Sequence, residues 1–115
     1  MDYITMIIYN TRLVKTITLG FADGITLFPF ILLVDEARGY REAILHERIH
    51  LRQQAEMLVV GFYLVYMVIL LVNLVRYRNF YRAYSNVFFE REAYANHYDA
   101  GYLKKRKPFA SFRYL

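Results

Sequence analysis

The residues best suited to chemistry lie in one stretch, 41–54, which reads REAILHERIHLRQQ and contains His46, Glu47 and His50 in the order H-E-x-x-H. Side chains four positions apart share one face of an α-helix, so both imidazoles could reach a single metal ion. Two neutral imidazoles suit zinc, and Glu47 lies beside that face, where it could take a proton from a zinc-bound water. The pattern predicts a hydrolytic zinc site. The alternative is two surface histidines on an amphipathic helix.

A third ligand must be another histidine or a carboxylate, because the chain has no cysteine. The best candidate segment is 86–101, NVFFEREAYANHYDAG, which is predicted to be a second helix. Glu92 is the predicted third ligand. Glu90 points about 200° away on the same helix and is the alternative. Asn96 and Asp99 share the face of Glu92, so we expect them to orient a ligand imidazole from behind the metal.

HERIH followed by Glu92-x-x-Ala95 resembles the gluzincin pattern, in which a later ExxA helix carries the glutamate ligand. The pattern is similar to that of membrane-associated gluzincin peptidases and of the very small minigluzincins. It also looks like small uncharacterised proteins with HExxHxxQQ followed by ExEAY. The resemblance covers two short helices, less than a third of the chain. Asn96 stands where membrane gluzincins usually have aspartate, and a neutral amide raises imidazole basicity less.

The resemblance implies one zincin-like domain over residues 1–115, Zn²⁺ as cofactor and a peptide or protein substrate. It makes His46, His50 and Glu92 the ligands and Glu47 the catalytic base. It also implies a side chain that stabilises the transition state, and His97, Tyr94 and Tyr98 all remain candidates. For His97, an ordinary surface position is the default interpretation.

The N-terminal part of the chain predicts a β-hairpin. Asp23-Gly24 separates two β-rich runs, Thr16–Ala22 and Ile25–Val34, and this dipeptide is typical of tight hairpin turns. Pro29 makes the second strand an edge strand or bends it there. The predicted fold is therefore α+β, with the hairpin packed beside a small helical domain that contains the HExxH helix. The hairpin edge would either bind an extended peptide by strand addition or serve only as a lid.

The run Met57–Val75 is apolar except for Asn73 and is long enough to span a membrane. One straight span would place the HExxH helix and the second ligand helix on opposite sides of the bilayer. We therefore expect a break near Gly61 that produces two helices. A chain this short cannot enclose so much apolar surface, which favours contact with a membrane surface or a homodimer.

The charge pattern gives weaker indications. The chain carries a formal charge of +5, with a basic block at 104–107 that we interpret as a solvated tail, and no nucleic-acid partner is expected. Asp2 and the short apolar run Ile4–Tyr9 do not match a signal peptide. The sequence favours a membrane-associated minimal zinc metallopeptidase, with a cytoplasmic location as the alternative. The rival function is a membrane-associated interaction protein whose zinc site is structural or degenerate.

Overall fold

The computed structural model describes residues 6–115, and Asp2, used above in the signal-peptide argument, lies outside them. The described part contains a three-stranded sheet and six α-helices, so the predicted α+β class is confirmed. The elements are β1 (Met6–Tyr9), α1 (Thr11–Ile17), β2 (Gly24–Leu27), β3 (Phe30–Leu33), α2 (Arg41–Glu56), α3 (Val60–Tyr77), α4 (Phe80–Ser85), α5 (Phe88–Asn96) and α6 (Tyr102–Lys105), with 3₁₀ turns at Asp35–Ala37 and Ala110–Tyr114.

A β-hairpin is present, but it is not the predicted one: its strands β2 and β3 lie almost entirely within the run Ile25–Val34 that was predicted as the second strand alone. In the sheet, β3 is central, with β1 parallel to it on one side and β2 antiparallel on the other. The connection between β2 and β3 is Phe28-Pro29, so Pro29 does mark a bend, while Gly24 is the first residue of β2. The predicted first strand is largely the end of α1 and the turn after it. The Asn10 side chain caps α1 by accepting a hydrogen bond from the Leu13 N–H, which favours helix at this point.

The predicted break in the apolar run is confirmed. Helix α2 ends at Glu56 and α3 begins at Val60, just before Gly61. Leu58 and Val59 both have positive φ, of 57° and 60°, a conformation that non-glycine residues rarely adopt and that cannot continue a right-handed helix. The chain therefore changes direction between the helix that carries the HExxH motif and the apolar helix.

Helix α2 lies at the centre of the molecule. It contacts β2 and β3 on one side and α5 and α3 on the others. Buried Ile49 of α2 packs with buried Ala93 of α5, while α3, α4 and α5 form a separate apolar cluster. That cluster contains Phe62, Leu70, Ala83, Val87, Phe88 and Phe89. This packing holds the two helices predicted to supply metal ligands against each other.

Helix α3 has a mean hydropathy of 1.8 over its 18 residues, and only 17% of it is buried. By length and composition alone, it could cross a membrane.

Candidate metal centre

Three donor atoms from α2 and α5 converge inside the protein. His46 Nε2 lies 3.2 Å from His50 Nε2, and the Glu90 Oε1 atom lies 3.1 Å from the first nitrogen and 3.0 Å from the second. All three residues are buried. Within residues 6–115, this is the one group of histidine and carboxylate side chains close enough to share a metal ion.

The size of this triangle matches one face of a zinc coordination tetrahedron. Zinc binds histidine nitrogen and carboxylate oxygen at about 2.0–2.2 Å, which separates tetrahedral donors by roughly 3.3–3.6 Å. The observed edges of 3.0–3.2 Å are only slightly shorter. A small outward movement of the side chains would accommodate the ion, and a fourth coordination position would remain for water or substrate.

The hydrogen bonds behind the triangle determine which atom of His50 faces it. Gln53 donates from Nε2 to the Phe89 carbonyl and to Glu92 Oε1, so its own carbonyl oxygen faces His50. That oxygen lies 2.7 Å from His50 Nδ1, which must therefore donate. A neutral His50 then points the Nε2 lone pair at the Glu90 carboxylate. Two facing lone pairs require a cation between them, either a proton or a metal ion.

The pKa values of the metal-free cluster are consistent with this requirement. Burial alone would lower the pKa of His50, but the charge and hydrogen bond of Glu90 outweigh burial and raise it to about 9. Burial alone would raise the pKa of Glu90, but His50 and His46 hold it far below its usual range. In the absence of metal, a proton thus occupies the position that a cation would take.

Glu90 has a second hydrogen bond that fixes its orientation. Its other oxygen, Oε2, accepts a hydrogen bond of 2.8 Å from the hydroxyl of Tyr66 on α3. This leaves Oε1 directed at the two imidazoles. The apolar helix therefore contributes directly to the geometry of the candidate metal centre.

Glu47 lies beside the triangle and is held by β2. The Thr26 hydroxyl donates to Glu47 Oε1 over 2.9 Å. A Cβ added at Gly24 would lie 3.2 Å from Glu47 Oε2 and 2.6 Å from a methyl of Leu33, so a larger residue would force its surroundings to shift. Gly24 is thus needed for this close approach and not for a tight turn.

The structure does not bring Glu92, the predicted third ligand, to the two histidines; Glu90, the alternative, lies there instead. Glu92 is fully buried but faces Arg106, whose Nε lies 2.5 Å from Glu92 Oε2. Tyr102 and Gln53 also donate to its carboxylate, at 2.6 and 2.9 Å. Arg106 additionally pairs with Glu56 through two hydrogen bonds. These donors outweigh burial, so the pKa of Glu92 is lowered and its charge is already neutralised away from the histidines.

The sequence did contain the signal for Glu90. The E-x-x-A spacing occurs twice in this segment, once from Glu92 to Ala95 and once from Glu90 to Ala93. Ala93 is fully buried against α2, whereas Ala95 is exposed. A small residue is required where two helices pack closely, so the pair whose alanine faces α2 is the one whose glutamate reaches the histidines.

The structure also gives Asn96 and Asp99 partners other than the imidazoles that they were predicted to orient. Asn96 donates to the Glu92 carbonyl and to the Tyr114 hydroxyl, and Asp99 pairs with Lys105 near the surface. Instead, Gln53 supports His50, and His97 Nδ1 lies 2.9 Å from His46 Nδ1. Gln53 follows His50 by three positions on the same helix face, a spacing that could have identified it.

Two cavities adjoin the triangle and meet at Glu47. One, of about 320 Å³, is lined by His46, Glu42 and the three side chains considered above as stabilisers, Tyr94, His97 and Tyr98. The other, of about 330 Å³, reaches His50 and Glu90 between apolar side chains of α1, α3 and α4. Glu47, Gly24, Phe21 and Tyr84 line both. Space for a reactant therefore exists on either side of Glu47.

The edge of β2 is less available to a peptide than the sequence suggested. Gln54 donates to the Thr26 carbonyl and accepts from the Phe28 N–H, and the Tyr63 hydroxyl donates to the same Thr26 carbonyl. These side chains occupy backbone groups that an added strand would use. Strand addition remains an untested prediction. Gly24, Ile25 and Thr26 of β2 line the cavity beside His50, and Gly24 also lines the cavity beside His46.

No protein-family model matches this chain, and neither the curated proteins nor the solved structures contain a match. The likeness to gluzincins therefore rests on the motif residues themselves. With Glu90 in the triangle, the residue after the ExxA alanine is Tyr94, which departs further from the usual aspartate than Asn96 did.

Proposed function

We propose that this protein is a minimal zinc-dependent hydrolase, most simply a metallopeptidase, with His46, His50 and Glu90 as ligands. One observation carries the proposal: three buried donor atoms lie 3.0–3.2 Å apart beside a buried glutamate. Donors of this type and spacing suit Zn²⁺. Three protein ligands with adjoining cavities are typical of a catalytic zinc site, whereas structural sites have four protein ligands.

When bound, zinc supplies Lewis acidity, which makes water easier to deprotonate and polarises a carbonyl group. Glu47 then acts as the base that accepts a proton from the attacking water and passes it to the leaving nitrogen. Thr26 keeps the Glu47 carboxylate in place for this transfer. Gln53 and His97 orient the two imidazoles through their Nδ1 atoms.

The cavities support a substrate that passes across Glu47. The cavity beside His46 has mixed walls, whose polar groups include Glu42 and His97, and the one beside His50 has mostly apolar walls. The side chains of Tyr94 and His97 pack against the His46 ring, at ring distances of 4.6 and 5.2 Å. Either could donate a hydrogen bond to the developing oxyanion, as transition-state stabilisation requires.

The test combines metal content with peptide hydrolysis. Wild type should bind about one zinc per chain and cleave a peptide mixture, with new termini identified by mass spectrometry. Glu47→Gln should keep zinc but lose hydrolysis, because Glu47 is the base and not a ligand. Absence of zinc uptake by the wild-type protein would refute the proposal.

The rival, an interaction protein with a structural zinc site, predicts a different result. Zinc would bind to wild type and to Glu47→Gln, but neither protein would hydrolyse any peptide. Loss of zinc from Glu47→Gln as complete as that from His46→Ala would instead show that Glu47 is a ligand.

A further inference from the structure

The outer face of α3 is a continuous apolar stripe with no covering element in the described part of the chain. Leu64, Met67, Val68, Leu71, Val72 and Val75 are each at least 50% exposed, and their spacing places them on one side of the helix. The opposite side, which includes Phe62 and Leu70, packs on α4 and α5. An exposed apolar surface of this length marks an interaction site.

The charges around the stripe favour an anionic partner. Between Met57 and Phe89 the chain has three arginines, Arg76, Arg78 and Arg82, and no acidic residue. All three are exposed, as are neighbouring Phe80 and Tyr81. Aromatic and basic side chains at the end of an apolar helix are typical of the lipid–water interface. A second copy joined through α3 would offer these arginines no carboxylate from the same segment.

The mouth of the apolar cavity lies on the same surface. Its wall includes four exposed apolar side chains, Ile17 and Phe21 on one side and Met67 and Phe80 on the other. The Phe21 and Phe80 rings touch edge to face with centroids 4.6 Å apart, which joins the two sides. From this rim the cavity leads inward to His50, Glu47 and Glu90.

We propose that α3 and the cavity rim dock into the surface of an anionic lipid bilayer, with α3 parallel to the membrane plane. The polar elements behind α3 determine this orientation. Asn73 donates to the Ala83 carbonyl, and α5, which carries Glu90, Arg91 and Glu92, packs against the same helix. A spanning α3 would draw these groups into hydrocarbon, where charged side chains are costly.

Docking in this way would present the cavity to the bilayer. If the proposed function holds, the substrate is a membrane-bound peptide whose apolar segment enters the cavity from the lipid. Soluble peptides could still reach the zinc from the His46 side.

Binding to vesicles tests the docking without reference to zinc. Wild type should bind phosphatidylcholine vesicles much more tightly when they contain phosphatidylglycerol. Arg78→Gln and Arg82→Gln should each weaken binding about fivefold, as expected for a basic residue near an anionic surface. The double substitution Val68→Glu/Leu71→Glu should weaken it more than either. Tyr40→Glu, at an exposed apolar position outside this face, is the matched control and should bind like wild type.

Depth measurements test the orientation. The chain has no tryptophan, so Leu64→Trp, Leu71→Trp and Val75→Trp each report one position along α3. Quenching by brominated lipids should give similar shallow depths for all three. A spanning helix would instead place the three positions at different distances from the bilayer centre, with Leu71 near the centre and Val75 roughly 6 Å further along the helix axis, at 1.5 Å per residue.

Two results would overturn docking. One is no vesicle binding by folded wild type; the other is a lipid-free dimer that Val68→Glu/Leu71→Glu dissociates and that anionic vesicles do not compete with. The substrate inference has its own test. Anionic vesicles should accelerate cleavage of an apolar membrane-bound peptide by wild type but not by Val68→Glu/Leu71→Glu, while both cleave soluble peptide equally. Vesicle binding without any hydrolysis would refute the proposed function and leave docking intact. If vesicles accelerated peptide cleavage equally for wild type and for Val68→Glu/Leu71→Glu, substrate entry from the lipid would be refuted.

Discussion

Glu90 and Glu92 lie two residues apart on α5 and are both buried, yet they belong to different electrostatic environments. Glu90 faces two imidazoles, which in our proposal exchange a proton for a metal ion. Glu92 faces Arg106, which stays charged at every accessible pH and cannot be displaced by a metal. A buried carboxylate with a permanent partner stabilises the fold, whereas one with a replaceable partner can bind a ligand.

Gln53 connects the two environments. Its carbonyl oxygen accepts from His50 and its amide nitrogen donates to Glu92. Glu92, held by Arg106, thereby fixes the orientation of the Gln53 amide, and that amide in turn fixes the orientation of the His50 ring. The comparison predicts that substitutions at Glu92 and Glu90 will affect different measured quantities.

The largest expected effect is on stability, from Glu92→Gln. Removing one charge of a buried ion pair costs about 3–5 kcal/mol, and we expect the lower end because Arg106 keeps Glu56. Urea denaturation of the metal-free proteins would measure the loss. Asp99→Asn removes a carboxylate from an exposed pair with Lys105 and should change stability little. An unfolding free energy for Glu92→Gln equal to that of wild type would contradict the structural role.

The second effect is on metal affinity, from Glu90→Gln. Removing a zinc ligand should weaken binding by more than the roughly 10–100-fold that loss of a supporting residue costs. Competition with a chromophoric chelator gives the dissociation constants. Glu92→Gln, once shown to be folded, should bind zinc within about tenfold of wild type, because it affects the ligands only through Gln53. The reverse order of affinities would restore Glu92 as the ligand.

The sequence predicted the histidines of the site but not which glutamate lies beside them, and this difference has a physical explanation. The HExxH spacing is local, so His46, His50 and the position of Glu47 followed from one helix, and the break before Gly61 followed from the need to bring two helices together. The choice between Glu90 and Glu92 depended on rotation of α5 about its axis. That rotation is set by Ala93 packing on Ile49 and by a salt bridge to Arg106, fourteen residues downstream.

The sheet shows the same limitation. Asp23-Gly24 has the composition of a hairpin turn, but helix α1 begins earlier, at the Asn10 cap, and its Val14 packs into the core beside β3. Tertiary packing outweighed the local turn preference. The role of Gly24 could be seen only once the Glu47 carboxylate was placed against it.

The third effect is a pH dependence of the metal-free protein. The pKa of His50 is raised from 6.5 to about 9. Protonated His50 therefore contributes to the free energy of unfolding fully below about pH 6.5, and this contribution is lost as the pH rises through 9. At 1.36 kcal/mol per pKa unit, the loss is about 3 kcal/mol. Thermal unfolding of zinc-free protein between pH 6.5 and 9.5 should show the decline, and His50→Gln should lack it. Stability that rises over this range in wild type would contradict the protonated cluster.

The smallest effect concerns the connecting residue. Gln53→Leu removes the acceptor for His50 Nδ1 and should weaken zinc binding about 10–100-fold while Glu90 is retained. Gln54→Leu is the matched control, since Gln54 contacts Thr26 and Phe28 and no histidine. Equal zinc affinity for the two variants would show that the Gln53 contact does not orient the ligand.

The most direct test of the account is a crystal structure of the zinc-loaded protein, with the ion located by anomalous scattering at the zinc edge. The account predicts one ion about 2.0–2.2 Å from His46 Nε2, His50 Nε2 and Glu90 Oε1, with Glu92 still paired to Arg106. An ion bound by Glu92, or no ion at the triangle in protein that contains zinc, would contradict it.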